Sequence, residues 1–292
     1  MVNKPCCIDL YHEDNVSDTP TALAGFNLVK RDGIFALIHK ASEGTDDPDN
    51  RYDARRAKWM SGSIIPVTDV DGTKLELSPL FGAYHFFHGV NAAAEAKYFL
   101  MMTRLASGDL PFIDWEEVGA SGYQPSLELA DAFCCAVEDA LGRVCGVYGG
   151  NVPRERFAAE KPSSTVLDRF QARPLWFCGY GGVQDLNELP EPWTDVGAFL
   201  WQDDGDRYGP GPHTIPGISG YCDNSTVVAP MTFATLHARW LAGGVVSKPG
   251  PSPAPEAKVV GGETLIEKLE DEVKTFTQHI QDEIKELKEH KT

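Results

Sequence analysis

The run Pro111-Phe112-Ile113-Asp114-Trp115-Glu116-Glu117 is a short apolar stretch that ends in two carboxylates spaced i, i+2. On a strand, residues two apart point to the same face, roughly 6.5–7 Å apart at Cα. Two carboxyl groups facing one cavity are the equipment of glycosidic bond cleavage, one to protonate the leaving oxygen and one to support the positive charge on the ring. Carboxyl separations of about 5 Å and about 6.5–9.5 Å go with retention and inversion of configuration, and an i, i+2 spacing falls between them. Glu117 should point the opposite way and serves as an internal control.

The elements needed to position such a pair are present. Apolar runs occur at 6–10, 35–41, 80–87, 111–115, 144–148, 174–180, 198–202 and 222–228. Helical stretches separate several of them: 49–61 and 92–107 are rich in Ala and charge, and Leu127, Ala130, Cys134, Val137 and Leu141 recur at helical spacing. Eight short strands alternating with helices predict an α/β fold, a parallel TIM-like barrel. The active site of such a barrel lies at the C-terminal strand ends. These runs end there in Asp9, Glu43, His85, Asp114, Glu116, Tyr148, Tyr180 and Gln202. The segment 68–79, with Asp-Val-Asp-Gly, is expected to be a loop or short hairpin inserted before the third barrel strand.

Eight pieces in order carry a family resemblance: Ile8-Asp9-Leu10, Ile38-His39-Lys40-Ala41-Ser42-Glu43-Gly44, Gly82-Ala83-Tyr84-His85-Phe86-Phe87, Ile113-Asp114-Trp115-Glu116, Gly146-Val147-Tyr148, Leu175-Trp176-Phe177, Leu200-Trp201-Gln202 and Tyr221-Cys222-Asp223-Asn224. Together, over residues 5–243, they resemble glycoside hydrolase family 25, the N-acetylmuramidase lysozymes. The resemblance implies cleavage of the β-1,4 bond between N-acetylmuramic acid and N-acetylglucosamine in peptidoglycan glycan strands. It adds Asp9 and Asp223 to Asp114 and Glu116 as the catalytic acids. It leaves open whether a carboxylate attacks the sugar or orients the substrate's own acetamide to do so. The chain departs from the family at Tyr11, where a small hydroxyl residue is usual, and at the following His12-Glu13-Asp14, which changes one rim of the cleft.

Glu116 is the candidate general acid, since aromatic neighbours and a nearby Asp114 would keep it protonated near neutral pH. Tyr84, Tyr148, Trp176, Tyr180 and Trp201 are candidate sugar platforms, because C–H faces of sugars pack on aromatic rings. Trp115, Phe86 and Phe87 read as core or second layer. Lys40 and Glu43 are placed to form an ion pair beside the site. His85 has two readings, a partner of a catalytic carboxylate or a core histidine, and His39 should face away from the barrel centre if Lys40 faces in.

A net charge of −17 over 292 residues speaks against nucleic-acid binding, so substrate contacts should rest on rings and hydrogen bonds inside the cleft. The seven cysteines, at 6, 7, 134, 135, 145, 178 and 222, lack metal-finger spacing and sit mostly in apolar positions, as buried thiols do. No metal site and no cofactor is expected: there is no H-E-x-x-H and no Gly-rich phosphate loop. No run of about 18 apolar residues predicts membrane insertion. The N-terminus lacks an apolar signal core. Synthesis in a cytoplasm is therefore expected, with access to the cell wall through a separate membrane-permeabilising protein, as for a phage-type endolysin.

The catalytic barrel is expected over 1–245, a Pro/Gly-rich stiff linker over 246–262, and an amphipathic helix over 263–292. Ile266, Val273, Ile280 and Leu287 repeat every seven residues, with Leu269 and Phe276 at d positions, a short coiled-coil pattern. Self-association through 263–290, packing against the barrel and binding of another protein are its alternative uses. Besides a muramidase, the sequence admits a noncatalytic wall-binding or virion structural protein and a hydrolase of chitin-like polymer.

Overall fold

The computed structural model describes residues 4–244, apart from 15, 17–19, 63, 182–183, 206–207 and 212. The linker and the heptad helix expected over 246–292 lie outside the described residues. The strands are β1 (Cys7–Leu10), β2 (Ala36–Glu43), β3 (Asp47–Pro48), β4 (Ile65–Thr68), β5 (Lys74–Leu77), β6 (Leu80–Phe86), β7 (Leu110–Asp114), β8 (Gly146–Gly149), β9 (Leu175–Cys178), β10 (Leu200–Asp204) and β11 (Asn224–Thr226). The helices are α1 (Pro20–Arg31), α2 (Tyr52–Met60), α3 (Ala92–Thr103), α4 (Leu127–Leu141), α5 (Asn151–Glu160), α6 (Ser164–Ala172) and α7 (Phe233–Leu241).

Among the described residues, eight strands close into a barrel in the order β1-β2-β6-β7-β8-β9-β10-β11, with β11 returning to β1. Neighbours are parallel from β1 round to β10. The expectation of an all-parallel barrel is corrected at β11, which runs antiparallel to both β10 and β1. Among the described residues no helix intervenes between β10 and β11, and the chain re-enters the sheet from the end at which it left. The inserted hairpin is present as β4 and β5, whose connecting Asp69 accepts the backbone N–H groups of Phe233 and Ala234 at 2.7 and 3.1 Å and so caps α7.

Strand alternation divides the core in two. Ile8, Leu37, Phe81, Ala83, Ile113, Val147, Leu175, Phe177 and Trp201 face the surrounding helices. Cys7, Ala36, Ile38, Leu110, Phe112, Tyr148, Trp176 and Leu200 form the other layer, inside the barrel. Phe112 fills the interior so closely that a Cβ on Gly146 would lie 2.4 Å from its ring, which is why a glycine stands there. After β11 the chain turns into α7, and Trp240 packs on Phe112 and Phe199 at the end of the barrel opposite the strand C-termini. The open end is left to the polar residues.

Candidate active site

The inward parity that places Ile38, Phe112 and Leu200 in the interior carries Lys40, Asp114 and Gln202, two residues further on, to the C-terminal mouth. Cys7 does the same for Asp9, Gly82 for Tyr84, and Gly146 for Tyr148. Asp9, Asp14, Asp114, Glu116 and Asp223 meet there, lining a cavity of about 250 Å³ with Tyr11, Lys40, Tyr84, Phe86, Tyr148 and Trp176. Trp176 and Tyr148 form its aromatic floor, their rings 4.3 Å apart. The Trp176 indole N–H donates to Ser225 Oγ at 3.0 Å, and Tyr84 packs edge-on to the same indole.

Strand β7 ends at Asp114, so Glu116 is not held by the strand alternation the motif suggested. Trp115 anchors it instead: it is fully buried, its backbone N–H donates to the Tyr148 carbonyl at 3.0 Å and its indole N–H to the Pro125 carbonyl at 2.9 Å. Glu116 then stands between the acid cavity and a larger one of about 540 Å³, which Tyr180, Cys178, Asn151, Arg154 and Glu188 also line. Glu117, the control, lies outside the acid cavity but lines this second one, where it accepts from Gln124.

The electrostatics separate the acids from ordinary surface carboxylates. Burial, then Asp223 and Glu117, push the Glu116 carboxyl up. Burial pushes Asp114 well above the usual range, Glu116 adds to this, and Lys40 opposes it. Asp9 is raised by burial and then by Asp223, Asp14 and Asp114, against a hydrogen bond from Gln202. Carboxyls crowded together away from water do not all ionise at once, so Glu116 can hold the proton a general acid needs near neutral pH while a neighbour carries charge. Asp114 Oδ1 is buried without a hydrogen-bond partner, an acceptor facing no protein donor.

Lys40 and Glu43 form the expected ion pair. Lys40 faces the cavity, while Glu43 sits behind it and accepts from His88 at 2.9 Å. Burial works against ionisation of Glu43, but the hydrogen bonds from Lys40 and His88 hold its carboxyl below the usual range. His39 faces outward, with its Nε2 3.2 Å from Arg55. His85 is a core histidine: it lies between Ser42 and Glu95 at 2.9 and 3.2 Å and stacks on Phe133, away from the catalytic acids. Phe86, read as core or second layer, lines the cavity.

Trp201 lies outside the acid cluster. It is 1% exposed, packs on Phe177 in the outer layer, and donates to the Gly179 carbonyl at 2.8 Å. Its neighbour Gln202, which the sequence places at a strand end without a role in the site, is the one that reaches the acids. The Gln202 amide nitrogen donates to Asp9 Oδ2 at 3.1 Å and Asp223 Oδ2 at 3.2 Å. Its carbonyl accepts from Tyr148 at 2.6 Å and Tyr180 at 3.5 Å. Strand parity could have found it, since in Leu-Trp-Gln only one of the last two can face inward. Tyr11 and Asp14, noted only as departures on the rim, are also cavity residues.

No protein-family model matches the sequence, and no curated protein matches it at a significant level. Solved structures do. A muramidase from Acremonium alcalophilum superposes with a TM-score of 0.57 at 20% identity, over 81% of this chain and 98% of that chain. A family GH25 lysozyme from Aspergillus fumigatus gives 0.54 at 20% identity, over 81% and 98%. A family 25 glycosyl hydrolase from Bacillus anthracis gives 0.53 at 15% identity, over 82% and 92%. At these identities the likeness shows a shared fold.

Proposed function

We propose that the protein is a glycoside hydrolase of the lysozyme type, cleaving the β-1,4 bond between N-acetylmuramic acid and N-acetylglucosamine in peptidoglycan. The observation that carries this reading is the position of Glu116, a carboxyl with a raised pKa standing where two cavities meet, one of them lined by Asp9, Asp114 and Asp223. A polysaccharide crossing from one cavity to the other sets a glycosidic oxygen beside that acid.

In this reading Glu116 gives its proton to the glycosidic oxygen as the bond to the anomeric carbon breaks. The cavity carboxylates stabilise the oxocarbenium-like charge that develops on the ring. Asp114 Oδ1, buried without a partner, accepts from the N–H of the sugar's 2-acetamido group and turns the acetamide carbonyl oxygen toward the anomeric carbon. That oxygen bonds to the anomeric carbon in the first step. Water displaces it in the second, giving its proton to the Glu116 carboxylate and restoring the acid. The Tyr148 and Trp176 rings offer the apolar face on which the sugar rests.

The test is reducing-sugar release with muropeptide mass analysis on purified peptidoglycan, comparing wild type with Glu116→Gln. New reducing ends at muramic acid that disappear in the variant are the expected result. Release from chitin but not from peptidoglycan changes the substrate. No release from any glycan removes the enzymatic reading.

A further inference from the structure

We propose that Gln202 is a positioning residue: its amide nitrogen holds the Asp9 and Asp223 carboxylates side by side, while its carbonyl oxygen is held by the Tyr148 and Tyr180 hydroxyls. Gln202 is fully buried and lines neither cavity, so it acts on substrate only through the groups it orders. Its role in turnover rests on the hydrolase reading, whereas its effect on the two carboxylates does not.

The four contacts exhaust the amide. Both N–H groups go to carboxylate oxygens on β1 and on the turn entering β11, at 3.1 and 3.2 Å. The carbonyl oxygen takes two phenol donors from β8 and the loop after β9. A flipped amide would set its oxygen against two carboxylate oxygens, so the acids themselves select the orientation. Burial keeps both phenols protonated and able to donate. Two carboxylates on adjacent strands repel, and without a donor between them one must take up a proton. One neutral amide works against this proton uptake, which burial and the neighbouring acids favour, without bringing a cation into the sugar cavity. An Arg or Lys at the same place would pair with the acids and hold them away from the substrate.

Among the described residues, the charged groups that raise Asp9 are all acids, and the hydrogen bond that opposes them comes from Gln202. Asp9 is faced by Asp223 across the seam, by Asp14 from the loop after its own strand, and by Asp114 from β7, all of which raise its pKa. The thiols of Cys7 and Cys222 and the phenols of Tyr84 and Tyr180 also face it, each pushed up by burial and thus uncharged near neutral pH. Lys40, the cation that lines the cavity, is paired with Glu43.

The experiment compares the full-length wild type with Gln202→Met and Gln202→Glu. The readouts are carboxyl carbon NMR titration of labelled aspartates, the pH–rate profile on peptidoglycan, and separate kcat and KM. Gln202→Met keeps the size and removes the donor. It should make the Asp9–Asp223 pair take up a proton at higher pH than in wild type. It should also lower kcat about 10- to 100-fold, the worth of one hydrogen bond to a charged group, with KM changed by no more than about twofold. Gln202→Glu can donate only when protonated, so its activity relative to wild type should recover as pH falls. Wild-type carboxyl titration and an unshifted pH profile in both variants would overturn the proposal, whatever their rates. If Gln202→Met does not fold, Gln202→Glu decides alone. If the wild type cleaves no glycan, the hydrolase reading fails and the titration still decides the role of Gln202.

Discussion

Replacing Glu116 by Gln should cut turnover sharply and at the same time stabilise the protein. The amide keeps the side chain's size and removes a charge that burial, Asp223 and Glu117 all disfavour. A carboxyl whose pKa is raised in the folded state binds protons more tightly folded than unfolded. The wild type therefore holds this stabilisation fully below the unfolded carboxyl pKa, about 4.3, and loses it as pH rises through the raised folded value. Gln at 116 does not titrate, so its advantage should appear above that window and vanish below it. Removing one unfavourable functional-site charge commonly gains about 1 kcal/mol. In a domain of this size that is about 2–4 °C in the unfolding midpoint. Loss of the general acid should cost about 10²–10⁴ in kcat. Thermal unfolding followed by circular dichroism at about pH 7 and about pH 4, beside reducing-sugar release, measures both sides. A variant less stable at neutral pH, or equally stabilised at both pH values, would refute the assignment of Glu116 as a carboxyl held protonated by its surroundings.

Trp201→Phe should lower stability by about 1–3 kcal/mol, through the lost indole hydrogen bond and packing, and leave KM near wild type; Trp176→Leu should raise KM, and glycan kinetics on both variants separate the outer layer from the cavity floor. Asp69→Ala removes the cap that ties the β4–β5 hairpin to α7 and should cost about 1 kcal/mol in denaturant unfolding with activity intact. Lys40→Met removes the cation that holds Asp114 down against burial and Glu116, so the acidic limb of the pH–rate profile should move to higher pH.

Much of the site was legible because the residues that do chemistry are also the punctuation of the strands. Asp9, Asp114 and Tyr148 are strand-end polar or aromatic residues in the sequence and Tyr84 a candidate platform, and the parity of a closed barrel turns them all toward one mouth. The errors have the same physical source. Trp201 looks like a sugar platform by residue type, yet Leu200 occupies the inward layer, and of Trp201 and Gln202 parity then admits only Gln202 to the mouth. Phe86 reads as core or second layer in the sequence, but two residues after Tyr84 it shares that residue's face and lines the cavity. Glu116 was reached by a strand argument that the end of β7 does not support. Its place depends on the burial of Trp115, a tertiary contact that no periodicity in the sequence announces.

Asp223 shows how topology decides chemistry. On a last strand parallel to its neighbours, a residue just before the strand would lie at the N-terminal end of the barrel, the end Trp240 closes. The segment between β10 and β11 instead carries Gly205, Gly209, Pro210, Gly211, Pro216, Gly217 and Gly220, a composition that opposes a crossover helix. The chain stays at the mouth and enters β11 downward, pairing Asn224 with Ile8, so that the Asp223 carbonyl accepts the Asp9 backbone N–H at 3.2 Å. The antiparallel closure is thus what brings a carboxylate from the far end of the barrel sequence beside one from the first strand. It also creates the like-charge neighbours that Gln202 bridges. A helix inserted between β10 and β11 to restore a parallel strand would keep every acid in the sequence and remove one from the site.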